Sequence, residues 1–422
     1  MTSDPLAPRT LTPDDLPAWF RAVSTGFLRG PEVSPEEVEA RTGAIDPDRT
    51  QGVFDEGRCV ATFRTTPQQL TVPGGAALPS CAVTNVTVSP THRRRGLLSR
   101  MTARALDAAV ERGDAVSTLI AAEYPIYGRY GFGPAAWTAE YEVDVPRSGL
   151  DPRYAGPDPA AGRVTLADAA EVRRIGPELH DRFRAGAHRQ GAIDRDARWW
   201  LRETGGLRFP EDGFRLPFFV VHRDAAGVPQ GMAAYTSDDV WHGKRPHHTL
   251  TVRSLIAVTP EAERALWHYL LSVDWVTTVR SGLRPPDDLL PLLLPDPRAA
   301  RPTAVADFLW LRPLDVPRML EARTYPVPGT LVLDVRDPGG PADGRYRLEA
   351  GPDGATCTRT GRQGEAAGLT LTAGDLGTLF LGDESAQRLA ELGRVAEDRT
   401  GAAGTADALF RTARRPWCPD VF

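Results

Sequence analysis

A repeated layout constrains this 422-residue chain more than any other feature. Residues 84–88 are a β-branched run that passes through Ser89-Pro90 towards a helix over 96–112, stopped by Gly113. Residues 251–258 pass through Thr259-Pro260 into a helix over 261–271. The similarity extends upstream. Residues 164–172 resemble the opening 9–16, and 218–222 with 230–235 form a second strand pair about a Gly turn. A chain that repeats a mixed strand and helix unit is expected to fold as two similar α/β units.

The first unit reads as follows. Thr12-Pro13-Asp14-Asp15 starts a helix, with a capping hydroxyl, proline at the first helical position and acids in the first turn. Its apolar face carries Leu16, Phe20, Val23 and Phe27. Strands are expected at 53–54, 59–63, 70–72, 82–88, 117–121 and 141–145, with a turn at Pro73-Gly74-Gly75. Residues 147–162, rich in Pro, Gly and Asp, read as a linker, and 284–302 as a connector. The last third changes character: a helix over 316–324, strands at 330–335, 345–350, 356–360 and 369–372, then helices over 373–381 and 385–392. That is an α+β pattern without a nucleotide signature. The expected domains are therefore 1–147, 163–284 and 303–422.

Composition removes several function classes. The net charge of -5 gives no global attraction to nucleic acid or anionic membranes. Cys59, Cys81, Cys357 and Cys418 are scattered without a CxxC pair, so neither a zinc site nor a redox motif is expected. His247-His248 lacks a partner at metal-ligand spacing and reads as a surface loop. Neither a Gly-x-Ser-x-Gly elbow nor an HExxH motif occurs. The opening Met1-Thr2-Ser3-Asp4-Pro5 has no basic or apolar leader pattern, and no apolar run approaches about 18 residues. The expected location is cytoplasmic.

The stretch that carries chemistry is Val86-Thr87-Val88-Ser89-Pro90-Thr91-His92-Arg93-Arg94-Arg95-Gly96-Leu97-Leu98-Ser99. A strand enters a basic turn, and a helix begins at once. A helix start offers unpaired N–H groups and a positive dipole end, an anion site in waiting. Gly96 allows close backbone approach to a pyrophosphate, and Arg93, Arg94 and Arg95 add charge that pairs with phosphate. An ordinary capped helix with a solvated arginine cluster has the same local pattern. Downstream, Ile126-Tyr127-Gly128-Arg129-Tyr130-Gly131-Phe132 follows the strand at 117–121; its tyrosines serve equally as packing aromatics.

The basic turn resembles the acyl-CoA pyrophosphate loop of GNAT acyltransferases, Arg/Gln-x-x-Gly-x-Gly/Ala, with Leu98 where a small residue is usual. The second stretch resembles the Tyr-x-x-x-Gly-Phe signature of the same superfamily. Together with the three-part layout, these motifs make the whole chain similar to the Eis (enhanced intracellular survival) acetyltransferases. The resemblance implies tandem GNAT domains, the first active and the second degenerate, followed by a sterol-carrier-protein-like domain. It implies acetyl-CoA as co-substrate, no metal, and direct transfer to a primary amine on a small molecule. Val86, Thr87 and Val88 would hold the pantetheine arm, residues Arg93 to Ser99 the pyrophosphate, and Ala122 and Glu123 would line the cleft. Tyr127 would be the general acid, with Tyr130 second, since a phenol can protonate the departing thiolate. The C-terminal carboxylate of Phe422 would be the general base, with Glu123 and Asp420 as substitutes.

Further expectations concern the end of the chain, the second unit and the acceptor. A docked terminus suits Arg414-Arg415-Pro416-Trp417-Cys418-Pro419-Asp420-Val421-Phe422, where two prolines stiffen the chain and Trp417, Val421 and Phe422 offer apolar surface. The resemblance implies a homo-oligomer, commonly a hexamer. Aligning Pro90 with Pro260 puts Glu263 opposite Arg93 and Leu266 opposite Gly96, which would disable the second copy. Family members acetylate amines in acidic clefts, whereas Arg29 and Val421 in the expected acceptor region are not acidic. The rival reading is a non-catalytic carrier whose last domain holds a lipid in an apolar tunnel.

Overall fold

Alternating apolar and polar runs in the first two units build a single twelve-stranded sheet. The computed structural model describes residues 6–149, 162–209 and 213–422. The opening residues 1–5 and residues 150–161 of the expected linker lie outside the described residues. The first unit runs β1 (Arg9–Thr10), α1 (Leu16–Gly26), α2 (Pro35–Thr42), β2 (Thr50–Asp55), β3 (Arg58–Thr71), β4 (Ala77–Val88), α3 (Leu97–Glu111), β5 (Val116–Ile120), α4 (Tyr124–Tyr127), β6 (Gly133–Asp144) and α5 (Val145–Ser148). The second repeats the order with β7 (Arg163–Ala167), α6 (Ala169–Arg184), α7 (Ala197–Glu203), β8 (Phe218–Arg223), β9 (Pro229–Ser237), the small β10 (Trp241–His242) and β11 (Arg245–Pro246) hairpin, β12 (His248–Ala257), α8 (Pro260–Leu271) and β13 (Val276–Arg280). The duplication read from the sequence is therefore a structural one.

The sheet order, β1-β2-β3-β4-β5-β14-β6-β13-β12-β9-β8-β7, contains an exchange at its centre. Strand β14 (Ala300–Pro313) comes after the second unit, yet it pairs antiparallel with β5 of the first, from Leu309↔Ile120 to Pro313↔Val116. Its other edge pairs with β6, from Ala300↔Val143 to Leu311↔Gly133. Strand β6 in turn pairs with β13 of the second unit. Each unit thus borrows a central strand from the other side of the chain. The boundary expected at residue 303 falls inside β14, and the expected connector ends within it. Residues 301–306 of this strand are exposed one after another, so they carry no period-two signal; continuous burial begins only at Phe308 and runs to Pro313.

Two local expectations differ from the structure. Residues 70–72 are not a separate strand: Leu70 and Thr71 end β3, which runs through Pro67. The pairing of β2 with β3 stops at Thr50↔Arg64, so the missing N–H of Pro67 faces no ladder partner from β2. The first helix begins as a 3-10 turn over Pro13–Asp15, and Phe27 lies beyond its end and is exposed.

The last unit consists of α9 (Val316–Glu321), β15 (Gly329–Arg336), β16 (Gly344–Gly351), β17 (Gly354–Thr360), β18 (Leu369–Thr372), α10 (Ala373–Phe380), α11 (Ala386–Glu391), β19 (Ala396–Glu397) and α12 (Ala402–Phe410), with a sheet ordered β17-β16-β15-β18-β19. Helix α10 lies directly on β6: a Cβ on Gly133 would stand 1.9 Å from the Gly374 carbonyl oxygen. The interior of this unit holds Tyr325, Phe380 and Phe410 around a buried cation, Arg323. Its guanidinium donates to the carbonyls of Phe380 and Phe410, the last residues of α10 and α12, the latter at 2.8 Å. Two helix C-termini thus stabilise one charge, while burial pulls the Arg323 pKa down to about 10.

Because β14 completes the first unit, a fragment ending at residue 149 leaves facing edges of β5 and β6 unpaired. That fragment is expected to lack a cooperative calorimetric transition and to aggregate. Co-expression with residues 162–422 should restore a soluble, cooperatively melting complex.

Candidate active site

The cleft originates in a bulge and a divergence on β4. Strands β4 and β5 pair in parallel over Ser80↔Val116, Cys81↔Ser117 and Ala82↔Thr118, and separate beyond that point. On the other edge, β3 matches Thr84 to Arg64 and Thr87 to Thr62, with a register shift between them. Asn85, in the left-handed region at φ 51, takes up the extra length. The Thr62 hydroxyl donates to the Asn85 carbonyl at 2.7 Å and meets the Thr87 hydroxyl at 2.7 Å. The Thr87 side chain is therefore buried and committed, leaving only its backbone for a ligand. Val86, Val88, Leu98, Ala121, Tyr127 and Tyr130 are partly buried against one core cluster that includes Leu97, Phe132 and Trp310.

Beyond Val88 a 3-10 turn, Pro90–His92, leads into the basic loop. His92 is pinned by Asp55 at 2.9 Å and Thr91 at 2.8 Å, which fixes the turn. Arg93, Arg94 and Arg95 are exposed, and Arg94 adopts φ 63. Gly96 is the residue before α3, at φ 73, with no side-chain cap on the helix and no atom within 4 Å of the position a Cβ would take. The first-turn N–H groups of α3 consequently have no side-chain acceptor at the cap position. The Leu97 side chain is buried and that of Leu98 packs on the same core, so both contribute backbone rather than side chain to the loop. The Ser99 hydroxyl lies 3.2 Å from that of Tyr130.

The second unit has no counterpart of this loop. Strand β12 ends at Ala257 and α8 begins at Pro260, capped by the Thr259 side chain, which accepts from Ala262 N–H at 3.2 Å. The alignment of Glu263 with Arg93 and Leu266 with Gly96 is corrected accordingly: both already lie inside the helix. Leu266 is fully buried, and Glu263 pairs at 2.8 Å with buried Arg284, which also binds Asp288 at 2.7 Å. The loop is deleted rather than merely substituted.

Tyr127 ends α4, edge-on to Phe132 at 6.2 Å. Burial, then the charges of Glu123 and Tyr130, raises its phenol to about 12. It holds its proton at neutral pH, and is a weaker acid than an isolated phenol. Ala122 and Glu123 are exposed between β5 and α4. Sequence patterns did not single out Trp310, which β14 carries into this cluster and which stands edge-on to Tyr124 at 4.9 Å. Nor did they single out Asn85, although an asparagine inside a β-branched strand is a usable bulge signal.

The chain's end is docked, as its apolar residues suggested. Trp417 enters the core of the second unit beside Phe183, and its backbone N–H donates to the Gln190 carbonyl at 3.0 Å. Gln190 holds the Arg414 carbonyl at 2.7 Å, and Arg414 pairs with Asp287 at 2.8 Å. Asp420 is chelated by Arg195, whose Nε donates to both carboxylate oxygens at 3.0 and 3.1 Å; the two side chains are 1% and 4% exposed. Asp420 is thus occupied as an anchor and does not fit the role of substitute base. Phe422 packs against the same apolar cluster as Ile120, the last residue of β5. Arg195, unremarkable in the sequence, is the partner that makes this possible.

Among the described residues there is no group of three His, Cys, Asp or Glu that could hold a metal, all four cysteines are free thiols, and no helix is long and apolar enough to cross a membrane.

Comparison with known proteins agrees with this architecture. The acetyltransferase (GNAT) domain matches twice, at residues 7–135 and 191–313, and the sterol carrier protein domain matches 316–419. The chain is 59% identical to an uncharacterized N-acetyltransferase of Streptomyces avermitilis, over 96% of each protein. It is 32% identical to the N-acetyltransferase Eis of Mycobacterium bovis, over 94% of this chain and 95% of that protein. Among solved structures, Eis1 from Mycobacterium abscessus superimposes with a TM-score of 0.82 at 30% identity, covering 98% of this chain and all of that one.

Removing Arg195 leaves the Asp420 carboxylate buried and uncompensated, at a cost of about 3–5 kcal/mol. Arg195→Leu is expected to undock the tail rather than unfold the protein. Limited proteolysis should then cleave near residue 415 while the main calorimetric transition persists.

Proposed function

The chain belongs to the GNAT N-acetyltransferases of the Eis family, and from that premise we propose that it acetylates a primary amine on a small molecule by direct transfer from acetyl-CoA in a ternary complex. The observation that carries this reading is one juxtaposition. The uncapped start of α3, the diverging β4 and β5, and a protonated Tyr127 all border one partly buried cluster. The open space at Gly96 and the exposed Arg93, Arg94 and Arg95 suit a pyrophosphate. In this reading the backbone of Val86, Thr87 and Val88 receives the pantetheine arm, and the Val86 N–H polarises the thioester carbonyl. Loop residues Leu97, Leu98 and Ser99 complete the anion cradle through their backbone, and Ala122 and Glu123 border its far side.

The residues divide the proton work. The acceptor ammonium must lose a proton before its lone pair can attack, and the Phe422 carboxylate is the proposed base. Docking by Trp417 and the Arg195–Asp420 pair supports this, because a frayed terminus could not be held in one place. The amine nitrogen forms its bond to the acetyl carbon, the carbon–sulfur bond breaks, and Tyr127 returns a proton to the thiolate. No observation favours the carrier reading: the last unit's interior is filled by its own aromatic rings and Arg323.

Thiol release from acetyl-CoA, followed across an amine panel, tests the assignment. Tyr127→Phe is expected to lower kcat by roughly 10²–10⁴-fold with the fold intact. The protonated phenol is the working form and its pKa is about 12, so the wild-type kcat profile should carry no alkaline limb from this residue below about pH 11. Full turnover by the variant would remove Tyr127 as the acid. Extending the chain beyond Phe422 displaces the carboxylate without changing any residue of the first unit. It should reduce kcat by a comparable factor while acetyl-CoA binding, measured calorimetrically, is unchanged. Retained rate would remove the base assignment.

A further inference from the structure

Beside the bulge on β4 lies a cavity of about 190 Å³ whose lining includes Asn85 and five arginines: Arg29, Arg41, Arg64, Arg198 and Arg202. Asn85 precedes Val86, the proposed contact to the thioester carbonyl, and one strand residue spans only about 3.3 Å. The cavity therefore opens next to the point of transfer, on the side covered by α1 and α2. Its arginines come from both units, because residues 191–194 lie along the free edge of β3. Thr71 N–H donates to the Ala192 carbonyl at 2.8 Å, and Gln69 N–H to the Asp194 carboxylate at 2.7 Å. Helix α7, carrying Arg198 and Arg202, follows directly.

The positive charges are crowded. The Phe209 ring is approached by Arg41 at 4.9 Å, Arg202 at 5.0 Å and Arg198 at 6.0 Å. Burial, and then the Arg198 charge, holds Arg64 below the usual arginine range; burial, and then Arg202, does the same to Arg198. Glu37 pairs with Arg41, but among the described residues no carboxylate lies within salt-bridge distance of Arg29, Arg64 or Arg198. A purely structural role explains part of this. Arg64 donates to the Ala44 carbonyl and Arg198 to that of Ala40 at 3.0 Å, which ties α7 and β3 to the end of α2. Each guanidinium has five N–H donors, and these bonds use one apiece. The Nε atoms of Arg41 and Arg64 are buried with no partner in the protein. Guanidinium donors converging on a small cavity match a carboxylate or phosphate in charge and geometry. They repel a second ammonium.

We propose that the acceptor is an amine that also carries an anionic group, a carboxylate or a phosphate, and that this arginine cavity binds that group while the amine faces the thioester. The inference rests on the acetyltransferase reading and names the substrate class of the same site. It places polycationic acceptors, aminoglycosides and polyamines, among the poor substrates of this chain.

The test compares kcat/KM for amino carboxylates, aminoalkyl phosphates, diamines and aminoglycosides, with acetyl-CoA affinity measured separately. Anionic amines are expected to exceed the cationic ones by at least ~10-fold, and the better of the two anionic arms identifies the group. Arg198→Gln and Arg64→Gln should raise KM for the anionic acceptor by at least ~10-fold. Their kcat should stay within about threefold, with acetyl-CoA affinity unmoved. Arg29→Gln, on an exposed position, should shift KM in the same direction if either partly buried variant fails to fold. Preference for diamines or aminoglycosides overturns the inference alone, as does acetyl-CoA binding without turnover of any amine. An unmoved KM in every variant that folds also overturns it. A wild-type protein that neither binds acetyl-CoA nor releases thiol overturns the acetyltransferase reading itself.

Discussion

The antiparallel pairing of β6 with β14 is the constraint on which the rest of the molecule depends. Each strand was made by one end of the duplicated segment and is used by the other. Neither α/β unit can close its sheet alone, so the two fold as one continuous layer and not as beads on a linker. The exchange also has a local consequence. With β14 hydrogen-bonded along the outer edge of β5, that strand is held while β4 turns away from it, and the cleft between them stays open without leaving an unpaired edge on its far side. Trp310, carried in on β14, packs into the cluster that supports Tyr127 and Phe132.

A second set of contacts makes the site a property of the whole chain. Residues 190–195 lie against the first unit's β3 on one side and the C-terminal tail on the other, with Gln190 and Arg195 supplying the polar anchors. The same segment leads into α7 and so brings Arg198 and Arg202 to the edge of the cleft. The unit without the pyrophosphate loop therefore has a structural part: it holds the terminus and one wall of the arginine-lined cavity. Its own Glu263–Arg284–Asp288 network fills the region where its cleft would have been, with Trp417 stacked on Arg284 at 4.8 Å.

Some of this was legible in the residues. The duplication, the change of character in the last third and the basic turn before α3 all follow from patterns a few residues long: period-two runs, Ser-Pro and Thr-Pro helix starts, and a glycine where φ must be positive. The docked tail was readable from Trp417 and two prolines. Strand β14 was not, because its first half is exposed on both faces and has no alternation to detect. The absent loop before α8 was misread as a substituted one, since aligning prolines cannot reveal a deletion on their other side. Arg64, Arg198 and Arg202 carry no sequence signal at all: in a chain with 50 basic residues, nothing marks the few that converge.

By itself, the sequence determined many of the strands and helices, though not β14, that the α/β unit occurs twice, and where backbone N–H groups gather at the start of α3. These are consequences of nearest-neighbour chemistry, in which side-chain period, capping hydroxyls and glycine act within a turn or two of the chain. Tertiary structure alone decided that β6 and β14 cross between the units, that Arg195 sequesters Asp420, and that arginines from β3, α2 and α7 share one cavity beside Asn85. Those outcomes depend on pairings between residues more than a hundred positions apart. Their energies come from burial and hydrogen bonding that exist only once the sheet has closed.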